Sequence, residues 1–252
     1  MTPLIQGALA VGAVSLVSLI GITTLSLKQD FLKRALFLLI SLAAGALLGD
    51  AFIHLLPEAF EEASDPLTVS LLVLAGILTF FVLEKFLHWH HSHGEDEFSA
   101  EHARIHPVGH LVLVSDGVHN LVDGLAIGAA FLVSPEVGIA TAIAIALHEI
   151  PQEIGDFGLL IHAGFSRTKA LLLNFASALT AFLGLGLAFW LSSLGESLAP
   201  LIAAFAAGNF IYIALADLVP ELQKTKGGGR SVLQFVVIVI GLAAMVMLLG
   251  LE

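Results

Sequence analysis

The sequence predicts an all-α integral membrane protein with eight transmembrane helices. Three observations carry that expectation: charge is scarce, apolar runs of spanning length recur throughout, and the basic residues fall in alternate loops. Of 252 residues, 58% are hydrophobic and 12% are charged. A soluble domain needs about 25% charged residues to dress its surface, so most of this surface must face lipid.

The first apolar run, 3–27, has no basic stretch before it and no clear small-residue cleavage site, so it reads as a span rather than a signal peptide. The others are 35–57, 67–87, 110–133, 137–163, 169–193, 199–220 and 231–251. Each approaches or exceeds the roughly 20 residues that cross the hydrocarbon core. Barrel strands would be shorter and alternating. Glycine is abundant, at 24 residues, and Ala-Gly steps inside the runs suit close helix packing in a bilayer. The absence of cysteine excludes disulfides and thiolate ligands, and argues against a site tuned for monovalent copper.

The basic residues orient the spans. Lys28, Lys33 and Arg34 lie in or beside the first loop, and Lys85 and Arg104 in the third. Arg167 and Lys169 lie in the fifth, and Lys224, Lys226 and Arg230 in the seventh. Positive loops stay in the cytoplasm. The odd-numbered loops are therefore expected there, with both termini outside, in a multi-pass protein of the cell membrane. The second loop is acidic, with Glu58, Glu61, Glu62 and Asp65. It either concentrates cations at the outer face or is an ordinary solvated loop.

An internal repeat adds topology. Residues 43–58, AAGALLGDAFIHLLPE, align without gaps on 206–221, AAGNFIYIALADLVPE, with seven of sixteen positions identical. These stretches fall on the second and seventh spans, which cross in opposite directions. An inverted repeat follows, in a 3+2+3 bundle with three helices on either side of a central pair and the substrate site near the midplane.

The central pair is where polar residues gather. Span four contains SDGVHNLVDG, in which Asp116, His119, Asn120 and Asp123 share one helical face. Span five contains HEIPQEIGD, with His148, Gln152 and Asp156 in one row and Glu149 and Glu153 in the next. Charge at mid-membrane costs roughly 2.5–3.5 kcal/mol per group on insertion scales, and neither span holds a Lys or Arg to offset it. Either the acids are protonated or cations occupy the site. Histidines interleaved at ligand spacing favour cations, because imidazole with carboxylate suits zinc, iron(II) and manganese(II). Pro151 lacks an N–H, frees the carbonyl of Leu147, and is expected to kink the helix at this point.

HNLVDG at 119–124 and HEIPQEIGD at 148–156 resemble the ZIP (Zrt- and Irt-like) metal transporters, in the branch reading HNxxDG and HExPHExGD. The likeness extends to eight spans, outward termini, a His-rich loop after the third span and the LLPEA ending of the second. It implies one transmembrane transporter domain over 1–252, a 3+2+3 bundle, and inward movement of Zn2+, with Fe2+, Mn2+ or Cd2+ also in range. By position it implies His119, Asn120, Asp123, His148, Glu149, Gln152 and Glu153 as metal ligands. Two features depart from that branch. Gln152 stands where it has His, which weakens one ligand and relaxes zinc preference. The sixth span has no carboxylate, leaving Asn174 and Ser177 as the nearest polar residues to a second ion.

The outer path is expected to use Asp50 and, near its mouth, His54; the inner path to use Asp156, His162 and Asp217, the repeat counterpart of His54. Polar residues snorkelling near helix ends explain these positions equally well. Asp116 joins the central group. The loop at about 88–109 is rich in histidine and reads as a solvated cytoplasmic segment that binds metal weakly. The partners are divalent ions and the lipid bilayer, with a homodimer left open and no nucleic acid expected. No enzymatic activity is expected. The competing reading is an intramembrane zinc protease, but its HExxH would require a histidine where Gln152 stands; a third is a metal sensor without transport.

Overall fold

A computed structural model describes residues 1–24, 29–63, 65–92, 107–194, 198–225 and 227–249, and every regular element among them is helical. The segments join into eight rods. α1 (Pro3–Ser15) tightens into a 3-10 stretch, Leu16–Ile20, and ends in Gly21–Thr24. α2 (Gln29–Gly49) passes through a π-helical stretch, Asp50–Leu55, into Leu56–Glu62. α3 is Pro66–Ser92, α4 Pro107–Val133 and α5 Pro135–His162. α6 runs Arg167–Ala178, steps at a turn, and resumes as Ala181–Ser192. α7 (Leu198–Tyr212) passes through a second π stretch, Ile213–Leu218, into Val219–Gln223, and α8 is Gly228–Leu249.

Local chemistry fixes the starts. α1, α3, α4 and α5 each open on proline, whose missing N–H is no loss at a first helical position. Ser134 accepts from the Val137 N–H at 3.1 Å, capping α5. Asp65 accepts from the N–H groups of Leu67 and Thr68 and the Thr68 hydroxyl. That hydroxyl and those N–H groups hold its carboxyl below the usual range.

Several boundaries differ from the sequence reading. α2 extends to Glu62 and α3 to Ser92, so the first histidines of the expected loop sit on helical backbone. Most of that loop, 93–106, lies outside the described residues. α5 continues as α-helix through Pro151. The π-helical stretches lie instead in α2 and α7, just ahead of Pro57 and Pro220. There the N–H of Leu56 reaches back five residues to the Ala51 carbonyl, and that of Val219 to Ala214. A proline ring crowds the carbonyl four residues earlier, and a widened turn relieves the crowding. The repeat alignment superimposes the two π stretches residue for residue, Asp50 on Ile213 and Leu55 on Leu218.

Among the described residues seven helices are long and apolar enough to cross a membrane. α5, at 28 residues, is long enough but is not among the seven. Two and a half turns in its second half, 148–156, carry His148, Glu149, Gln152, Glu153 and Asp156, which dilute its apolarity. Burial ranks the helices: 72% of the α4 window is buried but only 17% of those of α3 and α8. α4 therefore lies inside the bundle, packed on α5, α6 and α7, while α3 and α8 lie at its edge, on α7 and α2 respectively.

Three reciprocal glycine contacts let backbones touch. A Cβ on Gly124 would stand 1.8 Å from the Ala181 carbonyl oxygen, and one on Gly184 would stand 1.8 Å from that of Leu121, joining α4 to α6. Gly45 and Gly241 do the same for α2 and α8, at 2.1 Å and 2.5 Å from the carbonyls of Ile238 and Leu42. Gly76 and Gly208 do so for α3 and α7, at 2.2 Å and 2.1 Å from those of Phe205 and Val73. Gly45 and Gly208 are the matched glycines of the AAG repeat.

Candidate metal centre

α4 and α5 bring two three-and-four-spaced polar faces together inside the bundle. His119, Asn120 and Asp123 from α4 and His148, Glu149 and Glu153 from α5 are all buried. Helical spacing aims each set at one partner, and the small residues Ala126, Ala129, Ala140 and Ala144 let the helices approach.

Four side chains converge. His119 Nε2 lies 3.0 Å from His148 Nε2, 3.4 Å from Glu149 Oε1 and 3.7 Å from Asp123 Oδ2. His148 Nε2 lies 3.3 Å from Asp123 Oδ2 and 3.6 Å from Glu149 Oε1. A regular tetrahedron with edges of about 3.4 Å has its centre about 2.1 Å from each corner, close to zinc–nitrogen and zinc–oxygen bond lengths. Asp123 Oδ2 and Glu149 Oε1 are buried without a hydrogen bond. A buried acceptor left so is costly, and a cation at the centre would satisfy both. The His148 Nδ1 faces the Ala144 carbonyl at 3.3 Å, which calls for hydrogen on Nδ1 and leaves the Nε2 lone pair for a metal.

An aromatic wall backs the histidines. Phe80 of α3 meets the His119 ring edge-on at 5.5 Å, and Phe210 of α7 lies 6.4 Å from that of His148. Tyr212 continues the wall at 6.3 Å from Phe80. These rings place apolar surface beside the histidines, and a low-dielectric neighbour strengthens charge–charge interactions.

A second group, Asp116, Glu149 and Glu153, adjoins the first and shares Glu149. The remaining implied ligands do not point at the four-atom centre. Asn120 donates its amide to Asp116 Oδ1 at 2.9 Å, and Gln152 lies in hydrogen-bonding range of the same carboxylate. α6 supplies neutral donors: Ser177 to Asp116 and Asn174 to Glu153.

The expected path residues separate. Asp50 and His54 are buried in the π stretch of α2, so His54 does not stand at an open mouth. They lie 3.4 Å apart, and Thr141 of α5 donates to Asp50 at 3.2 Å. Asp156 is half-buried, whereas His162 and Asp217 are exposed. The sequence reading missed Phe80, Phe210 and Thr141, which look like ordinary span residues. It also missed Asn209, buried with neither amide atom partnered; its place in the apolar AAGN stretch was the available signal.

Fold and site together define a polytopic helical membrane protein with a buried histidine–carboxylate centre of divalent-metal type. The sequence profile described as ZIP Zinc transporter matches residues 3–110 and 88–249. Zinc transporter ZIP13 of Pongo abelii is 37% identical over 223 residues, covering 83% of this chain and 65% of that protein. Zinc transporter YKE4 of Saccharomyces cerevisiae is 30% identical over 252 residues, covering 88% and 73%. Zinc transporter ZIP4 of Homo sapiens is 34% identical over 250 residues, covering 74% and 38%. The chain thus spans just under two thirds of the first of these relatives and about two fifths of the last. The chain belongs to the ZIP zinc transporter family, a family of transporters rather than enzymes. Nothing supports the protease reading.

Proposed function

We propose that this chain carries zinc across a cell membrane toward the cytoplasm, with His119, Asp123, His148 and Glu149 as the central ion-binding set. The observation that carries the reading is the convergence of four ligand atoms, all within 4.8 Å of one another, in spans without Lys or Arg. Two imidazoles and two carboxylates also admit Fe2+, Mn2+ and Cd2+. Asn120, Gln152, Glu153 and Asp116 surround the set, and Asp50 with His54 lies on the outer side of it. Asp156, His162 and Asp217 lie on the inner side, where exposure increases.

The whole of 1–252 acts as one transmembrane domain, with eight spans in a 3+2+3 inverted repeat. Matched π stretches in α2 and α7 support this, as does the pairing of α2 with α8 and α7 with α3 through matched glycines. Both termini are extracytoplasmic and the odd-numbered loops cytoplasmic. The apolar outer faces of α3 and α8 contact lipid and leave room for a homodimer.

Proteoliposome uptake tests the reading. Zinc should enter, and competition among Zn2+, Fe2+, Mn2+ and Cd2+, with and without a pH gradient, ranks the cargo. No flux of any of the four would leave a sensor as the better account. Deleting residues 90–102 should retain at least about half of the initial rate, because the segment lies outside the spans; complete loss would place it in the path. Gln152→His should raise zinc over manganese preference, since imidazole suits zinc better than an amide does. An unchanged ranking would show that position 152 does not discriminate.

A further inference from the structure

We propose that the groove between α3 and α4 is a phospholipid site, in which an acyl chain lies along the groove and an anionic headgroup sits at Lys85.

The groove follows from how α3 is held. The Gly76 and Gly208 contacts draw α3 onto α7, and it meets α4 only sparsely. Between α3 and α4 lies a cavity of about 700 Å3, within the size range of small-molecule sites. Leu78 and Val82 of α3 line one side, and Val114 and Val118 of α4 the other. Leu78, Val82 and Val114 are each more than half exposed, so the wall offers apolar surface for a hydrocarbon chain to cover. Thr79 adds little polarity, because its hydroxyl donates to the Ala75 carbonyl of its own helix at 2.7 Å.

The length of the groove suits one leaflet. From Ala75, at its inner end, to Lys85 is about 15 Å of helix, half of the roughly 30 Å hydrocarbon core. Ala75 stands near the middle of the apolar window Pro66–Leu83. A chain anchored at Lys85 therefore ends near the midplane, as the tail of a single leaflet does.

One end of the groove is basic. Lys85 follows Leu78 by seven residues and Val82 by three, which keeps it on the same face of α3. Its ammonium lies over the Phe81 ring at 5.5 Å. On α4, His110 continues the row of Val114 and Val118 toward this end. The His110 ring meets Phe165 edge-on at 5.5 Å, and Lys169 lies over the Phe165 ring at 5.2 Å. Lys85 on one side and Lys169 on the other thus bring two ammonium groups to this end. The opposite end of α3 starts beside Asp65, close in sequence to Glu61 and Glu62. Basic pockets between spans select anionic headgroups, so the charge asymmetry along α3 chooses both the lipid and the end at which its head sits.

Native mass spectrometry of the full chain in detergent, titrated with phosphatidylglycerol or phosphatidylcholine of identical acyl chains, tests the proposal. The wild type should bind phosphatidylglycerol at least about fivefold more tightly, since one basic residue near a membrane surface is worth about that factor. Lys85→Gln should reduce the preference about fivefold, and adding Lys169→Gln should remove what remains. Val82→Trp should lower the occupancy of both lipids by filling the groove. Val114→Trp fills it from the facing helix and stands in if the first variant does not assemble. Arg230→Gln, at the start of α8, should bind both lipids as the wild type does. Equal affinity of the wild type for the two lipids, an unchanged preference in Lys85→Gln, or undiminished occupancy in both tryptophan variants overturns the proposal. So does an equal loss of preference in Arg230→Gln, which would make the effect a diffuse one of net charge. Micelles have no sides, so the outcome is independent of which way the chain crosses the membrane and of whether it carries zinc.

Discussion

Glu149→Ala is expected to reduce zinc uptake into proteoliposomes at least tenfold, while the protein still inserts and purifies as the wild type does. The reasoning starts from geometry. Glu149 Oε1 stands 3.4 Å from His119 Nε2 and 3.6 Å from His148 Nε2, as one of the four converging ligand atoms. Partners one step beyond the ligands are commonly worth about 10–100-fold in metal affinity or activity, so a direct ligand should cost no less. Glu149 is also the acid common to both groups, so neither group can compensate for its loss. Folding should survive because removing a buried carboxylate whose Oε1 has no hydrogen bond relieves a desolvation cost. His119→Ala should behave alike. His162→Ala, changing an exposed residue at the end of α5, should reduce uptake less than either. Near-normal zinc uptake by both Glu149→Ala and His119→Ala would move the path elsewhere in the bundle.

Much of this site could be read from sequence because the bilayer makes polar residues expensive. A membrane span keeps Asp123 or Glu149 only for a reason, and three-and-four spacing on α4 and α5 puts those residues on facing sides. Spacing does not say which members of a face converge. Asn120 lies one residue beyond His119, yet it turns to Asp116, since the carboxylate one turn earlier is its nearest acceptor. Gln152, four residues after His148, is drawn to the same carboxylate. The aromatic wall was illegible for a different reason: Phe80 and Phe210 are apolar residues in apolar helices, and only tertiary packing distinguishes them from lipid-facing phenylalanines. The repeat showed more than its identities suggested. Pro57 and Pro220 enter the sequence reading only as matched positions of the repeat, and the π stretches ahead of them carry Asp50 and His54 into the bundle on one side and leave Asp217 exposed on the other.

Gly184→Ala should cost about 1–3 kcal/mol or more, by the general scale of overpacking, and should release the centre from α6. The added Cβ would lie 1.8 Å from the Leu121 carbonyl oxygen and 2.7 Å from the Leu125 nitrogen, both backbone atoms that no rotamer change can move aside. α4 and α6 would have to part, and Gly124, pressed on Ala181 a turn away, offers no slack. Parting them also lengthens the Ser177 to Asp116 and Thr180 to Gly117 hydrogen bonds, which span the same seam. Stability and zinc binding should therefore fall together. Gly186→Ala supplies the control on the same helix, because a Cβ there meets nothing within 4 Å. Without a clash, alanine in a helix is favoured over glycine by roughly 0.5–1 kcal/mol, so that variant should be as stable as the wild type or slightly more so. Thermal unfolding in detergent, followed by intrinsic fluorescence with and without zinc, separates the two. Equal midpoints for Gly184→Ala and Gly186→Ala would mean that α4 and α6 are not in backbone contact and that the centre owes nothing to their seam.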